Sequence, residues 1–166
     1  MSKKNLLLLT AVLSVIVFIN NSCKKQQQTT VSQQLVAGPW QLASVLVTHT
    51  NKLVTTYDTL NTTCDSTQVF RFYANGTCSY TNFDCIAQKS TGTWSISQDQ
   101  LTLTSTDMIC KDTTKAGSSA PFKNAQLYNA GAYSLVIQTG DYNVIPTTSN
   151  STTVIRYGFV HPNAVN

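Results

Sequence analysis

Val69-Phe70-Arg71-Phe72-Tyr73-Ala74-Asn75-Gly76-Thr77-Cys78-Ser79-Tyr80-Thr81-Asn82-Phe83 reads as two strands and the turn that joins them. Aromatic and β-branched residues dominate both arms, as suits a pleated, half-buried surface. Asn75-Gly76 supplies the positive φ values that a tight hairpin needs, so residues 69–73 and 77–83 are predicted to pair antiparallel. With a type I turn and a bulge at Gly76, Tyr73 faces Thr77, Phe72 faces Cys78 and Asp65 faces Cys85. Cys78 then points inward on the same side as Phe72.

The pattern extends in both directions. Thr93-Trp94-Ser95-Ile96-Ser97 and Leu101-Thr102-Leu103-Thr104 alternate apolar and polar residues across a Gln98-Asp99-Gln100 turn, as half-buried antiparallel strands do. Residues 122–128, 133–138 and 152–160 add three more strands. Upstream, residues 40–48 and 52–57 form another pair, preceded by Gly38-Pro39, where Pro39 confines Gly38 and begins an extended stretch. Val31 to Ala37 has room for one short helical turn. Charged residues make up only 11% of the chain and no convincing amphipathic helix interrupts the strands. Strands this short and locally joined close most economically into an all-β, antiparallel up-and-down barrel of about eight strands, which leaves no exposed edge. A two-sheet sandwich is the alternative.

The start of the chain carries an address. Lys3 and Lys4, an apolar run from Leu6 to Ile19 and then Asn20-Asn21-Ser22-Cys23 make residues 1–22 a secretory signal. The apolar run is shorter than the ~20 residues a spanning helix requires. Ser22-Cys23 with Lys24-Lys25 behind it resembles the lipobox of bacterial lipoproteins, with Asn20 where those proteins usually have an apolar residue. That resemblance implies cleavage before Cys23, acylation of Cys23 and a membrane anchor, since ~0.8 kcal/mol per buried CH₂ over several acyl chains is effectively permanent. Ordinary secretion with soluble release is the competing reading. Residues 23–36, including Gln26-Gln27-Gln28-Thr29-Thr30, read as the lipidated cysteine and a flexible tether, and residues 37–166 as one barrel domain. The lysines after Cys23, with no acidic run, do not resemble the acidic surface-export signals of some bacterial lipoproteins, so the resemblance implies the bacterial cell envelope, on the outer membrane and facing the periplasm. Cleavage removes Lys3 and Lys4 and lowers the formal charge from +4 to +2. With no Lys/Arg cluster in the body, nucleic acid is not an expected partner.

Gly38-Pro39-Trp40 resembles the Gly-x-Trp that opens the first strand of lipocalins. Phe70-Arg71-Phe72, Asn75-Gly76-Thr77 and Gly92-Thr93-Trp94 follow in an order similar to the lipocalin-like domains of bacterial lipoproteins. The likeness covers residues 37–106 best. It implies a barrel that holds one hydrophobic or amphipathic molecule, with Trp40, Phe70, Phe72, Tyr80, Trp94, Ile96, Leu101 and Leu103 as candidates to line the space. In lipocalins an arginine near the last strand packs over the opening tryptophan. Arg156 is the only late arginine, and Ile155 and Tyr157 flank it as in mid-strand.

Setting Cys23 aside leaves Cys64, Cys78, Cys85 and Cys110, which admit three connectivities in an exported chain. The hairpin register brings Cys64 within a residue of Cys85, and the same spacing resembles a pair in lipocalin-like lipoproteins. Together these favour a Cys64–Cys85 disulfide. Cys78 is left as a buried, apolar-like thiol or as the partner of Cys110. No Cys-x-x-Cys and no nearby His pair offers zinc spacing, so neither metal nor other cofactor is expected, and His49 and His161 read as surface or strand-end residues.

Catalysis has no local motif. The chain has no Glu, its Asp residues sit mostly beside turns or strand ends, and no nucleophile elbow or phosphate-binding glycine loop is present. A binding protein is therefore expected and not an enzyme. Two classes remain: a binder of a small hydrophobic or amphipathic ligand, and a protein-facing envelope module, an inhibitor or assembly factor, with a filled core. The second would use the long loop from Thr106 to Pro121, which carries Lys111, Lys115, Gly117, Ser118 and Ser119.

Overall fold

The computed structural model describes residues 31–60, 62, 64–110 and 118–162. The signal at residues 1–22, Cys23 and the Gln-rich stretch to Thr30 lie outside the described residues, as do Lys111, Lys115 and Gly117. Among the described residues there are nine strands: β1 (Pro39–Asn51), β2 (Val54–Leu60), β3 (Val69–Phe72), β4 (Thr77–Thr81), β5 (Lys89–Ile96), β6 (Thr102–Ser105), β7 (Ala125–Ala130), β8 (Ser134–Gly140) and β9 (Ser151–Val160). All neighbours are antiparallel, in the order β2-β1-β3-β4-β5-β6-β7-β8-β9, and β9 returns to pair with β1. Eight strands therefore close into a barrel and β2 is an appendage. That ring of hydrogen bonds excludes the two-sheet sandwich.

β1 makes the closure possible because it is long enough to serve three partners. On one side it pairs with β9 from Gln41↔Val160 to Asn51↔Ser151. On the other its first residues take β3 and its last seven take β2. A bulge between Leu42 and Ser44 bends the strand, so that the inward set runs Trp40, Leu42, Val45, Val47. The β3–β4 hairpin has the predicted turn. Gly76 at φ 81° donates to the Tyr73 carbonyl at 3.0 Å, Tyr73 donates to Thr77 at 2.9 Å, and Phe72 stands opposite Cys78.

The barrel end that holds the β3–β4 turn is plugged. Residues 31–36 are helical, Leu35 is completely buried, and its carbonyl accepts a hydrogen bond of 2.9 Å from Trp40 Nε1. Residues 31–36, expected at the end of the tether, thus pack on the body, because the apolar face of this turn seals the barrel floor. The aromatic partner of Trp40 is His161, whose ring stacks on the indole at 3.8 Å while Nδ1 bonds the Pro39 carbonyl at 2.9 Å. Arg156 does not take that place. It projects from the outer face of β9, donates to Gln138 Oε1 at 2.6 Å and lies 4.5 Å above the Tyr128 ring.

Above the plug, aromatic side chains fill the interior. Phe70 touches Phe72, Tyr80 and Phe122 at centroid distances of 4.2, 5.1 and 5.2 Å, and Phe122 meets Tyr157 edge-on at 5.1 Å. Each such pair contributes about 0.5–1.5 kcal/mol beyond the area it buries.

Candidate binding pocket

The expected ligand-lining set divides by depth. Trp40, Phe70, Phe72, Tyr80 and Leu103 are almost completely buried among one another and their neighbours. Trp94 and Ile96 are half-buried toward the plugged end, where Trp94 Nε1 donates to the Tyr73 carbonyl and its ring meets Phe72 edge-on. Leu101 is 54% exposed, since it precedes β6 on the turn at the edge of the barrel wall. None of the eight borders the pocket described next.

That pocket, about 380 Å³, lies at the opposite, open end. Leu42 and Val45 of β1 and Ile155 and Tyr157 of β9 form its walls, with Thr139 and Gly140 at the end of β8. Leu60 and Thr62 reach it from β2 and the segment after it, and Pro121 from the long loop. The remaining side, Gln68, Phe83 and Asp84, comes from two loops tied together by the Cys64–Cys85 disulfide, whose Cα atoms are 5.2 Å apart.

Those loops are held by more than the disulfide. Gln68 is buried; its Oε1 accepts from the Asp84 backbone N–H at 2.9 Å and its Nε2 donates to Cys64 Sγ at 3.4 Å. Asn82 donates through Nδ2 to the Thr67 carbonyl at 3.0 Å. The restraints matter because Asn82, Asp84 and Cys85 have φ of 57°, 55° and 61°, a left-handed run without glycine. Such conformations cost about 1–3 kcal/mol each and persist only where the surroundings dictate them. Here they turn Phe83 and Asp84 toward the mouth.

Two phenols lie at and below this mouth. Burial pushes Tyr157 above its ordinary range, a hydrogen bond with Thr139 opposes the shift, and the Asp84 charge adds to it. Tyr80 lies deeper and is pushed up by burial and then by Tyr157. Its hydroxyl is buried without a hydrogen-bond partner.

A second polar cluster is sealed inside the wall formed by β4, β5 and β6. Cys78 Sγ donates to Asp107 Oδ1 at 2.6 Å, Ser105 Oγ to the same oxygen at 2.8 Å, and Ser90 Oγ to Oδ2 at 3.5 Å. Gly92 makes room for it, since a Cβ there would stand 2.6 Å from the Asp107 nitrogen. Burial and the Asp107 hydrogen bond push the Cys78 thiol up to about 12, which makes it a donor and not a nucleophile. Cys78 and Cys110 are both free thiols, so the second disulfide does not form. Cys110 is instead held at the surface end of the loop, its N–H donating to Gln88 Oε1 at 2.9 Å. Among the described residues no three metal-ligating side chains converge.

Sequence reasoning missed Gln68, Asp84, Tyr157 and His161. Tyr157 was within reach, because Ile155-x-Tyr157-x-Phe159 alternates as an inward set. Gln68 and Asp84 lie in segments without periodicity and carry no such signal. In comparisons with known proteins, a lipocalin-like domain model matches residues 36–156. No curated protein matches the chain.

Proposed function

The chain belongs to the lipocalin-like domain family, and on that premise we propose that it binds one small hydrophobic or amphipathic molecule in the pocket at the barrel mouth, as a lipid-anchored protein of the bacterial cell envelope. The observation that carries this reading is the pocket itself. Its volume lies within the range of about 300–1,000 Å³ usual for small-ligand sites, and apolar walls surround a few polar groups. The filled interior restricts the ligand to the mouth, so this is a shallow holder for one chain or ring system. The protein-facing alternative draws its support from the same filled interior.

Methyl NMR on the protein tests the reading. Titration with a neutral single-chain amphiphile such as decyl maltoside should move the methyl signals of Leu42, Val45 and Ile155 saturably and leave those of Leu103 and Leu135 in place. No saturable shift with fatty acids, porphyrin-like pigments, bile-acid-like amphiphiles or this probe would turn the assignment to the protein-facing module. The anchor is tested separately: Cys23→Ala should yield an unacylated, uncleaved precursor, and normal processing of that variant would remove the lipoprotein assignment.

A further inference from the structure

The charge and ring content of the mouth select among amphiphiles. Asp84 is the one ionic side chain among the described residues that line the pocket, and no described Lys or Arg accompanies it there. Two aromatic rings stand with it: Phe83, its sequence neighbour, and Tyr157, with ring centroids 6.2 Å apart. The field of the Asp84 carboxylate reaches the Tyr157 hydroxyl. A carboxylate or sulfate head placed in this recess would meet a like charge with no cation among the described lining residues to offset it, and electron-rich rings would not favour it. An ammonium head reverses every one of these signs, because aromatic faces and a carboxylate are the groups that recognise alkylammonium ions.

We infer that the mouth pocket takes an amphiphile with a cationic ammonium head, held between Phe83, Tyr157 and Asp84, with its apolar tail against Leu42, Val45 and Ile155. The inference rests on the proposed small-ligand reading and narrows it to one head-group class. It also gives the left-handed run at Asn82, Asp84 and Cys85 a purpose, since the strained turn is what carries Phe83 and Asp84 to the rim.

The test compares three probes of equal tail length, decyltrimethylammonium, decanoate and decyl maltoside, on the full-length protein below their micelle concentrations. Calorimetry gives the affinities and the Leu42, Val45 and Ile155 methyl signals locate the site. The expected order places decyltrimethylammonium first and decanoate last. Asp84→Asn should weaken the ammonium probe roughly two- to five-fold relative to the maltoside, the strength of a solvent-exposed ion pair, and added salt should shrink the preference. Asparagine tolerates the left-handed backbone at this position, so the variant should fold. Decanoate binding as tightly as decyltrimethylammonium overturns the inference and leaves the small-ligand reading standing. An equal loss for ammonium and maltoside probes in Asp84→Asn also overturns it, because Asp84 would then act only through the loop. If none of the probes binds, the small-ligand reading fails and the inference with it.

Discussion

Burial decides what Cys78 and Tyr80 can do. Cys78 keeps its proton until about pH 12 in the folded protein, whereas its ordinary value is 9.0. Above pH 9 the unfolded chain releases that proton and the folded chain does not, so this contribution to stability is complete below pH 9 and declines as pH rises toward 12. Tyr80 and Tyr157 shift in the same direction and steepen the decline. Urea denaturation from pH 7 to 11 should show a plateau and then a fall, and at pH 8 iodoacetamide should label Cys110 well before Cys78. The Tyr80 hydroxyl is a different case, since it is desolvated without a partner. Tyr80→Phe should leave stability unchanged or raise it by about 1 kcal/mol. A loss of 2 kcal/mol or more would mean that the hydroxyl is hydrogen-bonded in solution, for example to a buried water.

Among the elements, the loop pair at the mouth depends most on a single bond. The Cys64–Cys85 disulfide closes a loop of 21 residues' separation, worth about 3 kcal/mol in the chain-entropy model. Cys64→Ser or Cys85→Ser should therefore lower the denaturation free energy by about 2–4 kcal/mol. Each should also weaken binding at the mouth, since the left-handed turn would lose its covalent restraint. Unchanged stability would show that the hydrogen bonds of Gln68 and Asn82 suffice. Strands such as these were legible in the sequence wherever one face met the core and the other met solvent. The eight barrel strands appear near the expected positions for that reason, although Phe83 belongs to the turn and not to β4. β2, exposed along its whole length, was legible from its β-branched residues and its closeness in sequence to β1. The turn residues and Gln68 answer to tertiary bonds instead of periodicity. The bulge after Leu42 was equally silent, and it sets which β1 residues reach the pocket.

At the scale of the molecule, the interior works as a solid base for a shallow site. Phe72→Ala should cost about 3–5 kcal/mol of stability and leave affinity at the mouth nearly unchanged, because Phe72 packs against Phe70 and Trp94 toward the plugged end. A mouth-bound ligand should likewise leave tryptophan emission almost unaltered, since Trp40 and Trp94 both lie away from the pocket. A large emission change on ligand addition would show that the aromatic cluster opens. The closing ladder between β1 and β9 was readable as a class of fold, but the division of the interior into packed base and open mouth was not. That division depends on side-chain volumes summed across strands far apart in sequence, and aromatic residues suit a wall and a filling equally well. The plug has one more consequence. The helical turn at residues 31–36 and His161 both sit at the sealed pole, so the described chain begins and ends on the side away from the pocket. In the lipid-anchored reading, the anchor would be attached on the sealed side, away from the pocket. The mouth is then left clear of the attachment point.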